Sequence, residues 1–99
     1  MKLNDIVMNI GETIKTLRKK SGLKQKELAK RCGISCSALC NIEKDYAFPS
    51  RETFEQIGKA LGIPTGVLLF SAVTDDDIPQ EKLQVFKALQ KPLLELFEL

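Results

Sequence analysis

Apolar residues recur along this chain at helical spacing, and no run alternates apolar and polar long enough to read as a strand. Ile10, Ile14 and Leu17 (i, i+4, i+7) mark the buried stripe of a first helix, which Ser21-Gly22 ends. A short second helix is predicted from about Gln25 to Cys32, burying Leu28, Ala29 and Cys32, with Gly33 as its stop. Ile34 then turns inward and Ser35 is a good N-cap for a third helix to about Lys44, with Leu39 and Ile42 inside. Asp45 is suited to a left-handed stop there. Ser50 caps a fourth helix, Arg51–Leu61, with Phe54, Ile57, Ala60 and Leu61 on one face and Gly62 after it. Pro64 opens a short fifth helix to about Phe70, apolar nearly all round. Residues 71–78 read as an acidic linker. Pro79 opens a last helix rich in Leu and Phe, with Asp77 or Ile78 near its N-cap, and Pro92 is expected to kink or end it. Residues 1–8 either extend the first helix, with Asn4 as cap, or form an arm. The predicted architecture is all-α: a five-helix unit over residues 1–70, a linker over 71–78, and a C-terminal helix over 79–99.

Charge changes this picture because it is uneven. Residues 1–50 hold ten Lys/Arg and five Asp/Glu, a net of +5, while residues 51–99 hold five and eight, a net of −3. A basic half suits a polyanion. Three cysteines (Cys32, Cys36, Cys40) and no histidine supply neither a disulfide framework nor the four ligands of a closed structural zinc site. No metal and no cofactor is expected. Enzyme chemistry is disfavoured, since histidine is absent and no Gly-rich phosphate loop or cleft-forming carboxylate pair can be read. With no apolar run of about 18–20 residues and no secretory leader pattern, no membrane association and a cytoplasmic location are expected.

Two short helices joined by a tight Gly-containing turn inside a bundle form a helix-turn-helix. Ala29 is the small residue that lets them approach, Gly33 makes the turn, and Cys36, Ser37, Cys40 and Asn41 form the small, polar outward face of the third helix. The run GLKQKELAKRCGISCSALCNIEK (22–44) resembles the Cro/repressor-type helix-turn-helix family of phage and bacterial transcription regulators. The resemblance extends from Ile10 to about Phe70 through Leu17-Arg18, Gln25, Leu28-Ala29, Gly33-Ile34-Ser35, Ile42-Glu43 and Pro49-Ser50. It implies that Gln25 grips phosphate and buttresses the recognition helix. It also implies that Cys36, Ser37 and Asn41 reach base edges, that Ser35 and Lys44 touch the backbone, and that Arg18 and Glu43 pair between the first and third helices. Two departures stand out: Lys24 replaces the usual Ser, Thr or Asn cap, and Asp45 replaces the usual Gly and would slightly oppose phosphate.

The chemistry of each side chain sharpens these expectations. Asn41 can pair bidentately with adenine, Ser37 is undiscriminating, and Cys36 suits a thymine methyl. Cys40 belongs to the same base-facing set. Lys24, Lys26, Lys44 and Tyr46, with Gln25 and Ser35, are the backbone-contact candidates that position without specifying. Val67, Leu69, Phe70, Leu83, Phe86, Leu89, Leu93 and Phe97 are the expected dimer interface, because the five-helix unit should close its own core without the last helix. The expected function is sequence-specific binding of double-stranded DNA by a homodimer that regulates transcription, as a repressor or an autoregulator, with half-sites roughly 34 Å apart. The competing expectation is an antitoxin or protein-interaction module whose last helix grips a toxin or another protein.

Overall fold

The structure is a computed structural model and describes residues 10–97 of the 99. The question of helix or arm for residues 1–8 therefore lies outside the described residues. Six α-helices follow one another in the described part, with no strand among them: α1 (Ile10–Lys20), α2 (Gln25–Cys32), α3 (Cys36–Glu43), α4 (Arg51–Leu61), α5 (Thr65–Ser71) and α6 (Gln80–Leu96). A 3-10 turn, Asp75–Asp77, precedes α6.

Local chemistry sets most boundaries. The Ser35 hydroxyl accepts from the Ala38 N–H (3.0 Å) and the Ser50 hydroxyl from the Thr53 N–H (3.2 Å), each satisfying an orphan donor of a first helical turn. At the other ends Gly33 (φ 70°) and Gly62 (φ 72°) take the left-handed conformation that a Cβ would disfavour. Asp45 takes it too (φ 61°), as its sequence position predicts. Lys24 provides no side-chain cap for α2. Its backbone N–H donates instead to Glu27 Oε1 (3.0 Å), so the glutamate three residues on supplies half of a capping box.

The core is built from the predicted stripes. Ile10, Ile14, Leu28, Leu39, Ile57 and Leu68 are its fully buried large side chains, and Leu17, Ala29, Cys32, Ile42, Phe54, Ile63 and Ala72 complete it. At about 25 cal/mol per Å² of apolar surface, burying each large aliphatic side chain is worth roughly 1.5–3 kcal/mol. Val67 and Leu69 pack against this core from α5. Ala72, just after α5, carries the core past residue 70 into the segment read as linker.

The C-terminal third shows how these expectations are realised. The acidic segment is structured: Thr74 N and Oγ1 both donate to Asp77 Oδ2 (2.8 and 3.0 Å), and Asp75 pairs with Lys87 Nζ on α6 (2.7 Å). Asp77 is thereby spent within its own turn, and Pro79 occupies the N-cap position of α6, with Asp77 and Ile78 just before it. Pro92 lies inside α6, which continues to Leu96. Pro92 and Ala88, four residues before it, are both exposed, so water can satisfy the carbonyl that proline leaves without a donor.

No residue of α6 is buried. One of its faces lies on the domain: Phe86 meets Phe70 with ring centroids 5.1 Å apart, and Gln90 Nε2 donates to the Phe70 carbonyl (3.1 Å). Leu94 and Phe97 line clefts of about 450 and 290 Å³ whose other walls both include Leu17 of α1. The neighbouring stripe, Val85, Leu89 and Leu96 at i, i+4 and i+11, is 64%, 66% and 74% exposed.

Candidate nucleic-acid interface

Helix α3 carries its apolar side inward through Leu39 and Ile42, which leaves its other side to solvent. Cys36, Ser37 and Asn41 are exposed there and Cys40 is half-buried, so the structure brings together the four residues expected to face bases. Among the residues of α3 itself, none on that side is bulky or acidic. Ser35 sits at the exposed N-terminus of α3, its oxygen occupied by the cap and its hydroxyl proton left to donate. The open N–H groups of the α2 and α3 first turns favour an anion, as phosphate would be.

Behind this face stands a buried ion pair. Arg18 Nε donates to Glu43 Oε2 (2.7 Å) and Nη2 to Glu43 Oε1 (3.1 Å), while Nη1 donates to the Leu23 carbonyl (2.9 Å). Arg18 and Glu43 are 7% and 5% exposed, so the pair ties α1 to α3 in a low-dielectric setting. The expected Arg18–Glu43 contact is thus present, in bidentate form. Gln25 extends it outward: its Nε2 donates to Glu43 Oε1 (3.1 Å) and its Oε1 accepts from the Cys36 thiol (3.6 Å). Buttressing of the recognition helix by Gln25 is therefore visible, and its second amide hydrogen remains for a phosphate.

Basic and aromatic groups surround the face. Lys24 and Lys26 are exposed at the start of α2 and Lys44 just past α3. Lys44 Nζ lies 6.0 Å from the centroid of the Tyr46 ring, at the outer edge of cation–π range, and Tyr46 is 78% exposed. Phe48 stacks on Phe54 (6.3 Å) and pins the loop that follows.

Asp45, expected to be a mild repellent of phosphate, also has a structural task. Its Oδ1 accepts from the Gly11 N–H (3.0 Å), so the carboxylate caps the first turn of α1. Gly11 permits this approach, since a Cβ there would stand 2.4 Å from the Ile42 carbonyl oxygen. Asp45 was legible in the sequence as a left-handed stop, but its bond to Gly11 was not. The available signal was an Asp in a left-handed position, where its side chain has to find a partner.

Burial pushes the Cys32 thiol up from its ordinary pKa, whereas Cys36 lies at the surface. Among the described residues no three acidic or thiol groups converge as a metal site, and no helix is long and apolar enough to cross a membrane.

Comparison with known proteins places these features. A helix-turn-helix domain model matches residues 11–72. The immunity repressor protein of Bacillus phage phi105 is 30% identical over 96 residues, which cover 85% of this chain and 67% of that protein. Among solved structures, SinR, the master regulator for biofilm formation, crystallised in complex with DNA, is 34% identical with a TM-score of 0.57, over 61% of this chain and 97% of that one. A chain of the SinR–SinI protein complex is 25% identical with a TM-score of 0.60, over 90% and 91% of the two chains.

Proposed function

The chain belongs to the helix-turn-helix family of Cro/repressor-type transcription regulators, and on that premise we propose that it binds double-stranded DNA sequence-specifically as a homodimer, repressing transcription in the cytoplasm. One observation carries the reading. The outward side of α3 offers only small or polar groups (Cys36, Ser37, Asn41, with Cys40 at the edge), on a helix anchored from behind by Arg18, Glu43 and Gln25. An 8-residue helix with that surface fits the major groove, and its similarity to SinR, solved on DNA, supports the same use.

In this reading Asn41 pairs with adenine N6/N7, Ser37 takes either role, and Cys36 and Cys40 pack on pyrimidine edges. Lys24, Lys26, Lys44, Ser35, Gln25 and Tyr46 meet phosphate and set the register. Two chains join through α6, whose outer stripe Val85, Leu89 and Leu96 is apolar and uncovered in the single chain. Of the residues expected at that interface, Leu89 lies on this stripe and Leu93 beside it; Val67, Leu69, Phe70 and Phe86 pack within the monomer, and Leu83 and Phe97 lie half-buried on the side of α6 that carries Phe86.

The test is selection from random duplex DNA at two salt concentrations, with Asn41→Ala beside the wild type. A consensus of two related half-sites is expected, with one position in each relaxed by Asn41→Ala and the affinity falling steeply with salt. Absence of any enriched sequence at low salt sinks the reading.

A second reading is favoured by the same exposed stripe and by the similarity to the SinR–SinI complex: α6 docks a different protein, such as a toxin or an antagonist. It predicts that α6 variants lose the partner while half-site recognition by α3 is unchanged.

A further inference from the structure

Gln25 stands between the buried ion pair and the surface of α3, and the direction of every hydrogen bond through it is forced. Glu43 Oε1, bound to Arg18, is a carboxylate oxygen and can only accept. The Gln25 atom facing it (3.1 Å) therefore has to be the amide nitrogen. That leaves the Gln25 carbonyl oxygen toward Cys36 Sγ (3.6 Å), and an oxygen there needs a donor. The Cys36 thiol has one proton, and it is spent inward. We propose that the Arg18–Glu43 pair, acting through Gln25, fixes which way Cys36 donates, so that residue 36 offers the groove a sulfur with only acceptor and apolar character.

The consequence is a specificity rule, and it rests on the reading that α3 enters the major groove. A group without a free donor has nothing to give the N7 and O6 acceptors of guanine. It tolerates a thymine methyl or the exocyclic amino group of cytosine or adenine. Residue 36 then excludes guanine at its base because of a charge pair two side chains away. Arg18, Glu43 and Gln25 act here as positioning residues, whatever phosphate contact Gln25 also makes.

Serine at this position has the same single proton, which allows a direct test. Random duplex DNA is selected with the wild type, Cys36→Ser, Gln25→Met, the Cys36→Ser/Gln25→Met double variant, and Cys36→Arg, with thermal melting to verify that each folds. Arginine seeks guanine, so Cys36→Arg marks which base pair faces residue 36. The wild type and Cys36→Ser are expected to share one preference at that pair, with guanine depleted. In the double variant the hydroxyl loses its inward acceptor, and guanine at that pair should rise by about three- to tenfold, the worth of one neutral hydrogen bond. Gln25→Met alone frees the thiol in the same way, and since S–H is a weaker donor than a hydroxyl, guanine should rise there by a smaller factor, beside a general loss of affinity. The inference is overturned if Cys36→Ser alone admits guanine, or if the double variant keeps the preference of Cys36→Ser. A wild type that selects no consensus removes the groove reading itself, and the inference with it. A wild-type consensus with an unmoved base preference removes the inference alone.

Discussion

Arg18 spends three nitrogens on two partners, and both ends of its contact with Glu43 are out of solvent. Such a pair is a poor source of net stability but a costly thing to halve, because the surviving charge stays desolvated. Glu43→Ala is therefore expected to destabilise the fold by about 3–5 kcal/mol. In a domain of this size that lowers the melting temperature by more than about 12 °C. Arg18→Met with Glu43→Leu should recover most of that loss, and a double variant as unstable as the single would sink the argument. The three thiols separate on similar grounds. Cys32 is buried with its pKa pushed up, so the reactive thiolate is scarce and shielded. Alkylation of the native protein near pH 8, followed by mass spectrometry, should mark Cys36 first and Cys32 last. Equal rates at the two would mean that this part of the core opens freely. Both residue types were readable from sequence, the pair through the family pattern and Cys32 through its place on the α2 stripe. The Gln25–Cys36 contact was not, since it depends on where two helices bring their ends.

At the scale of elements, what was legible divides by the range of the interaction. Ser35, Ser50, Gly33 and Gly62 act within four residues of themselves, and the boundaries they predict are the ones observed. Pro92 was expected to kink or end its helix for the same local reason; a proline on a solvated side of a helix loses one hydrogen bond that water replaces, and α6 does not end there. Asp45 and Gly11 are 34 residues apart, and their clamp exists only once α1 crosses α3. Its strength can be measured. Gly11→Ala would place a methyl group 2.4 Å from the Ile42 carbonyl oxygen, which is backbone and cannot swing aside. A loss of about 1–3 kcal/mol is expected in denaturant unfolding, the usual cost of overpacking. Gly66→Ala is the control, because a Cβ there meets nothing within 4 Å and should leave stability nearly unchanged. If the two variants unfold alike, α1 and α3 are not packed as closely as the clamp requires.

For the whole molecule, the open question on α6 is which of its two apolar faces does which task. Phe86 and Gln90 hold the helix to its own domain, whereas Val85, Leu89 and Leu96 point away from it with nothing on them. The sequence pattern could not divide these faces, because Leu and Phe fill one continuous arc of the helix and only the docking against Phe70 decides which part of it is spent. If the outer stripe joins two chains, substitutions on the two faces must have opposite signatures. Leu89→Glu should leave the melting temperature of dilute protein unchanged and keep the chain monomeric in analytical ultracentrifugation, at concentrations where the wild type associates. Phe86→Ala should lower the melting temperature and affect association less. One helix face is small beside the roughly 800 Å² per partner of a standard interface, so free dimers should be weak and concentration-dependent. Two adjacent half-sites would then complete the dimer by raising the effective concentration of the second chain. Leu89→Glu should therefore bind a single half-site as the wild type does but lose the gain in affinity on a two-half-site duplex. A Leu89→Glu protein that still dimerises, or that keeps the two-site gain, would move the interface off this stripe.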